Sequence, residues 1–129
     1  MSSKTSVLAI IDKYNELTVA DQMVLQALSA LYEPAAAAIV SSCLGSAGCR
    51  ESHLRAFSPQ IVATRLARLA KAGFATEQSV DNRGQKTRLW RCRPEVGEVA
   101  IRHAVRDGRF LPLAKAALTE TRGRDWKGE

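Results

Sequence analysis

The segment SPQIVATRLARLAKAG (58–73) constrains the fold more than any other part of the chain. Serine is a good helix N-cap. Proline suits the first helical turn, where its missing N–H would have no partner anyway. Val62, Leu66 and Leu69 recur at the helical period, with Ala63 and Ala70 at the edge of the stripe. Gly73 stands where a helix end needs a left-handed residue. The spacing therefore predicts a helix over 58–72 with one buried face. The opposite face holds Gln60, Thr64, Ala67, Arg68 and Lys71, and no acid.

Other helices are predicted upstream. Val7, Leu8, Ile11 and Tyr14 give helical spacing over 5–16. Thr18, with Asp21 three positions on, resembles a capping box. It opens a helix whose stripe is Met23, Val24, Leu28 and Leu31, ending near Tyr32. Glu33-Pro34 breaks the chain and starts an uncharged, buried third helix over Ala35 to Leu44. Gly45 to Gly48 reads as a turn. Arg50 to Phe57 reads as a short helix with Leu54 inward.

After Gly73 the pattern changes. Phe74 to Val80 and Thr87 to Arg93 are rich in β-branched and aromatic residues, and 81–85 (DNRGQ) has turn composition, so a β-hairpin is predicted. Pro94 ends it. Glu95 to Asp107 reads as a helix with acids first and bases later, as the helix dipole favours. Gly108 and Pro112 then punctuate the chain, Leu113 to Leu118 is a last helical segment, and 119–129 is a polar, frayed tail containing Trp126. The expected architecture is mostly α with a small β-hairpin. It forms one domain over 1–129: a flanking helix in 1–17, a core in 18–93, flanking helices in 94–118 and a tail in 119–129.

Charge locates the function. The net charge is +6, with an isoelectric point near 9.7. Residues 50–93 carry ten Arg or Lys against Glu51, Glu77 and Asp81, whereas residues 1–49 carry two bases against four acids. Localised positive charge of this kind suits a polyanion. An α-helix can enter the major groove, where Gln pairs with adenine, Arg with guanine, and Thr or Ala meets a thymine methyl. Readers sit near the helix N-terminus, which points to Gln60 and Thr64, with Ser58 at the helix start. Arg65, Arg68, Lys71, Lys86 and Arg88 are the expected phosphate contacts. Arg83 stands at the hairpin turn, where it is placed to reach a narrow minor groove, and Gly84 lets the backbone turn tightly. A solvated helix face followed by a charged loop would explain each part alone; the acid-free face and the basic hairpin together favour double-stranded DNA.

The order short helix, turn, longer helix ending in Gly, then basic hairpin resembles a winged helix-turn-helix, and most of all the MarR-type transcriptional regulators. The likeness rests on LTVADQMVLQALSAL (17–31), similar to the family's first core helix, and on ESHLRAFSPQIVATRLARLAKAGF (51–74), similar to its helix-turn-helix. It extends to DNRG (81–84), which resembles the family's wing tip, and to RPEVGEVAI (93–101), similar to the polar stretch that leads into the family's next helix. The resemblance implies sequence-specific DNA binding by a transcriptional regulator. It makes Arg83 the minor-groove residue and Asp81 its support, with Gln60, Thr64 and Arg68 on the recognition helix. Segment 34–48 is longer than in the family, so the helix preceding the recognition helix is either 50–57 or 35–44. Two other uses of such a fold stay open: a module of a larger nucleic-acid machine, or a protein–protein contact in which Arg83 and Lys86 meet an acidic surface.

Other chemistries find little support. Cys43, Cys49 and Cys92 are odd in number and lack a C-x₂-C pair, so neither a disulfide framework nor a zinc site with His53 is expected. Cys49, beside Arg50, is the expected reactive thiol if any is. Ser52 and His53 are adjacent on a helix reading and point about 100° apart, which makes no nucleophile pair. His53 and His103 are the only histidines and no phosphate loop is present, so no enzyme, cofactor or metal is expected. Free thiols and the lack of a leader or a membrane span suggest a cytoplasmic protein. Val7–Tyr14 and Leu113–Leu118 can pair between protomers or complete one core; a homodimer is expected, since two half-sites raise affinity and specificity. No small-molecule effector is specified.

Overall fold

The computed structural model describes the backbone of residues 2–128 apart from 32, 53, 54 and 83, and the side chains of 9–120 apart from those four and 82. The elements in chain order are α1 (Ser2–Glu16), α2 (Val19–Leu31), α3 (Ala37–Ser46), β1 (Arg50–Ser52), β2 (Arg55–Ala56), α4 (Pro59–Lys71), β3 (Ala75–Asn82), β4 (Gln85–Cys92), α5 (Pro94–Arg106) and α6 (Phe110–Gly128). The chain is mostly helical, with two small antiparallel ribbons, β1–β2 and β3–β4.

Helix α2 is the centre. Thr18 caps it as expected, its Oγ1 accepting from the Asp21 N–H at 3.2 Å. Val24, Leu25, Ala27, Leu28 and Leu31 are buried, and α3, α4, α5 and α6 all pack on α2. Gln26 is the one fully buried polar side chain among the described residues of this core. Its Nε2 donates to Tyr14 Oη at 3.1 Å and its Oε1 accepts from Arg109 Nη1 at 3.3 Å. Both ends of the amide are satisfied, as burial requires.

Two expectations are corrected upstream of α4, and one open alternative is decided. The third helix starts at Ala37, not Ala35. Ala35 instead exchanges two backbone hydrogen bonds with Trp90 of β4, at 3.0 and 2.9 Å. Pro34 has no N–H to give, and the neighbouring strand takes both polar groups of Ala35, so the helix begins two residues later. The expected short helix over 50–57 is the β1–β2 ribbon, pairing Arg50 with Ala56 and Ser52 with Arg55 around an irregularity. Tertiary bonds hold it: Glu51 meets Arg65, and Ser41 Oγ donates to the Phe57 carbonyl at 2.9 Å. His53 and Leu54 lie outside the described residues. The helix that precedes and packs on α4 is therefore α3, the second of the two alternatives above.

Helix α4 follows the sequence closely. Ser58 Oγ accepts from the Ile61 N–H at 3.1 Å, Pro59 is in the first turn, and Val62, Leu66 and Leu69 are buried. Gly73 has φ +92°, and Phe74 N–H reaches back to the Leu69 carbonyl at 2.9 Å, a Schellman-type close. The expected hairpin is present, and its strands extend farther toward the tip than composition indicates. Pairing runs from Ala75 with Cys92 to Asn82 with Gln85, leaving a two-residue connection in which Gly84 has φ +82°. Short loops of this kind need positive φ, which glycine supplies at least cost.

Downstream, Pro94 does not merely end the hairpin; it is the first residue of α5. The tail is corrected too. Helix α6 runs from Phe110 to Gly128, with Pro112 in its first turn, where no N–H is needed. Leu113, Ala116 and Ala117 bury against α2 and α3. No helix among the described residues is long and apolar enough to cross a membrane.

Candidate nucleic-acid interface

Of the expected readers, Gln60 and Thr64 are both exposed near the N-terminal end of α4, one turn apart. Thr64 Oγ1 donates to the Gln60 carbonyl at 3.0 Å, which leaves the hydroxyl oxygen free to accept. Arg68 and Lys71 are exposed on the following turn. The Arg68 guanidinium is 64% exposed and lies 3.8 Å from Asp21, a loose pairing that a phosphate can displace. Ser58, also expected to contact DNA, is half-buried; its Oγ accepts the capping bond from the Ile61 N–H, which leaves its O–H to donate.

Arg65, expected among the phosphate contacts, is bound within the fold. Its Nη1 is 2.7 Å from Asp21 of α2, and its Nη2 and Nε are 2.9 and 3.2 Å from Glu51 of β1. The side chain is only 18% exposed. Burial alone would lower its pKa, but the hydrogen bonds and charges of Asp21 and Glu51 outweigh that and raise it. The guanidinium thus joins three elements. The helix face carries no acid of its own, as the sequence indicated, yet the fold brings Asp21 and Glu51 beside it. Two acids so far from residue 65 in sequence give no local signal.

The β3–β4 ribbon rises from a buried base of Ala75, Trp90 and Cys92 into solvent. Lys86 and Arg88 are exposed on its outer half. Arg88 sits 3.4 Å from Glu77, with 66% of its side chain exposed. Asp81 pairs in register with Lys86 across the ribbon. Arg83 lies outside the described residues, so the expected contact between it and Asp81 is outside them too. Arg93 lies at the base, its Nη1 donating to the Gly73 carbonyl at 3.2 Å, and so ties the ribbon to the end of α4.

All three cysteines are buried. Burial pushes the Cys43 thiol up to about 12 and Cys92 up to about 11, and it raises Cys49 as well. The cation that opposes this at Cys49 is Arg109, not the neighbouring Arg50. A raised pKa suppresses the thiolate, which is the nucleophile. Among the described residues, no group of His, Cys, Asp and Glu is placed to hold a metal ion.

Both segments considered for pairing between protomers contribute to the core of the single chain, and Leu118 of the second is exposed. Tyr14 and Leu113 are fully buried in that core, while Val7, Leu8 and Trp126 have side chains outside the described set. A groove of about 860 Å³ runs between α2, α5 and α6, lined by Ala30, Leu31, Ile101, Phe110 and Ala114 among others. No family model, no curated protein and no solved structure matches the chain.

Proposed function

We propose that the chain is a winged helix-turn-helix that binds double-stranded DNA in a sequence-specific way, as the MarR-type transcriptional regulators it resembles do. Helix α3 precedes the recognition helix α4, and β3–β4 is the wing. One observation carries this reading: Gln60, Thr64, Arg68 and Lys71 are exposed together on α4, and the helix leads through Gly73 into a solvent-exposed ribbon bearing Lys86 and Arg88. Gln60 and Thr64 face base edges in the major groove, and the basic side chains meet phosphates. Arg83, from its place in the sequence, is assigned to the minor groove, with Asp81 beside it as the resemblance implies.

Fluorescence anisotropy of fragmented genomic duplexes at two salt concentrations tests this. The wild type binds tightly and with strong salt dependence. Lys86→Ala with Arg88→Ala weakens binding to all sequences and lowers the salt slope, and Gln60→Ala narrows the gap between selected and random duplexes. Weak binding indifferent to all these changes would remove DNA as the partner and leave an acidic protein surface in its place.

A second reading has its own support. The helices expected to join two protomers bury their inward residues in one chain. A head that completes its core within one chain suits a module of a larger nucleic-acid machine that grips DNA with little sequence preference. Equal affinity for random and selected duplexes would favour it.

A further inference from the structure

The β1–β2 ribbon lies at the end of α4 where the proposed readers sit. Its second strand passes through Phe57 directly into Ser58, the cap of α4. Glu51 of β1 accepts two hydrogen bonds from Arg65, so the ribbon is clamped to the helix, and Glu51 shares a shallow depression with Gln60 and Thr64. The charges inside that clamp offset one another, since Asp21 and Glu51 face Arg65 and Arg68. Among its described residues, the ribbon presents the exposed cations Arg50 and Arg55 to solvent. These two belong to the basic segment 50–93.

Helix α4 therefore has a basic ribbon at each end: β1–β2 where it begins and β3–β4 where it stops. A helix lying in a major groove about 12 Å wide has a phosphate strand on either side. An element joined to its N-terminal end meets backbone beside the base pairs that the N-terminal residues read. On the strength of the DNA-binding function proposed above, we propose that Arg50 and Arg55 make the β1–β2 ribbon a further phosphate-contacting element, which fixes the register of Gln60 and Thr64 on the duplex.

The test is the dependence of binding on salt for four proteins on one duplex pool: the wild type, Arg50→Ala/Arg55→Ala, Lys86→Ala/Arg88→Ala, and Arg102→Ala/Arg106→Ala. The last pair removes the same charge from exposed positions on α5. Thermal melting shows that each is folded. Each lost phosphate contact lowers the slope of log K against log salt by about 0.9. The ribbon variant is expected to lose roughly two such contacts and to weaken all duplexes about equally, while the α5 variant keeps the wild-type slope. A ribbon variant whose slope matches the wild type or the α5 variant overturns the inference. In that case a lowered slope in the β3–β4 variant leaves the DNA-binding reading standing. A wild type without salt-dependent duplex binding overturns both.

Discussion

Arg65 shows how one side chain can change roles between sequence and structure. On the helix it looks like one more cation for DNA; in the fold it neutralises Asp21 and Glu51, whose side chains are 13% and 16% exposed. Removing it takes two hydrogen bonds from the largely covered Glu51 and leaves Asp21 with the looser Arg68. Hydrogen bonds to charged groups contribute about 1.5–3 kcal/mol each, and partial exposure reduces that here. Arg65→Ala should therefore lower stability by about 2 kcal/mol in urea denaturation, and leave the salt slope of DNA binding as in the wild type. A fall in slope without loss of stability would return Arg65 to the phosphate contacts. His103 offers a pH probe. Its ring lies edge-on to Tyr14 at 4.8 Å between centroids. Burial, then the charge of Arg106, lowers its pKa, with Asp107 opposing. The native state thus penalises the charged ring, and the unfolded chain takes up the proton first. Stability should be fullest above the usual value of 6.5 and decline as pH falls through it toward the lower folded value. Carboxylates add their own losses at lower pH, so the readout is the difference between wild type and His103→Gln. That difference should shrink between pH 7.5 and 5.5; a constant difference would contradict the assignment.

At the scale of elements, α4 owes its position to its ends as much as to its stripe. Ser58 satisfies the Ile61 N–H, and losing such a cap costs about 1 kcal/mol. Ser58→Ala should lower the melting midpoint accordingly, and Ser58→Asp should restore it because a carboxylate accepts the same bond. If Ser58 were instead a DNA contact, Asp would keep stability but lose affinity through repulsion of phosphate. The ribbon β1–β2 makes the contrasting point. Glycine at 48 ends α3 with φ +78°, and the residues after it have a composition that suits a helix. They form strands because Glu51 has a partner on α4 and the Phe57 carbonyl has one on α3. Neither partner can be identified from within 50–57.

Across the whole molecule, α2 is the shared wall on which α3, α4, α5 and α6 settle, and α4 also packs on α3, with Val62 and Leu66 buried. Leu66 is fully buried. Leu66→Ala should lower stability by about 3 kcal/mol, the middle of the usual range for a buried leucine, measured by denaturant unfolding. Because the same face positions Gln60 and Thr64 on the opposite side, the variant should also lose discrimination between duplexes before it loses general affinity for DNA. Equal stability would mean that Leu66 is not part of the packed core.

The sequence by itself determined the parts whose causes are local. Ser58, Pro59 and Gly73 bounded α4; Thr18 opened α2; glycine at 84 between β-rich runs produced the β3–β4 hairpin; and the outer face of α4 followed from helical spacing alone. Charge counting also placed the basic region where the proposed interface lies. Tertiary structure decided the rest. Ala35 became a partner of Trp90 because a strand drew its backbone groups, and segment 50–57 became a ribbon because two other elements bonded to it. Helix α6 continued through Pro112 because that residue fell in the first turn, and its apolar side chains had a core to join. Arg65 turned inward because the fold set two carboxylates beside it. In each case the deciding interaction joins residues far apart in the chain, and local propensity, worth only tenths of a kcal/mol per residue, gives way to it.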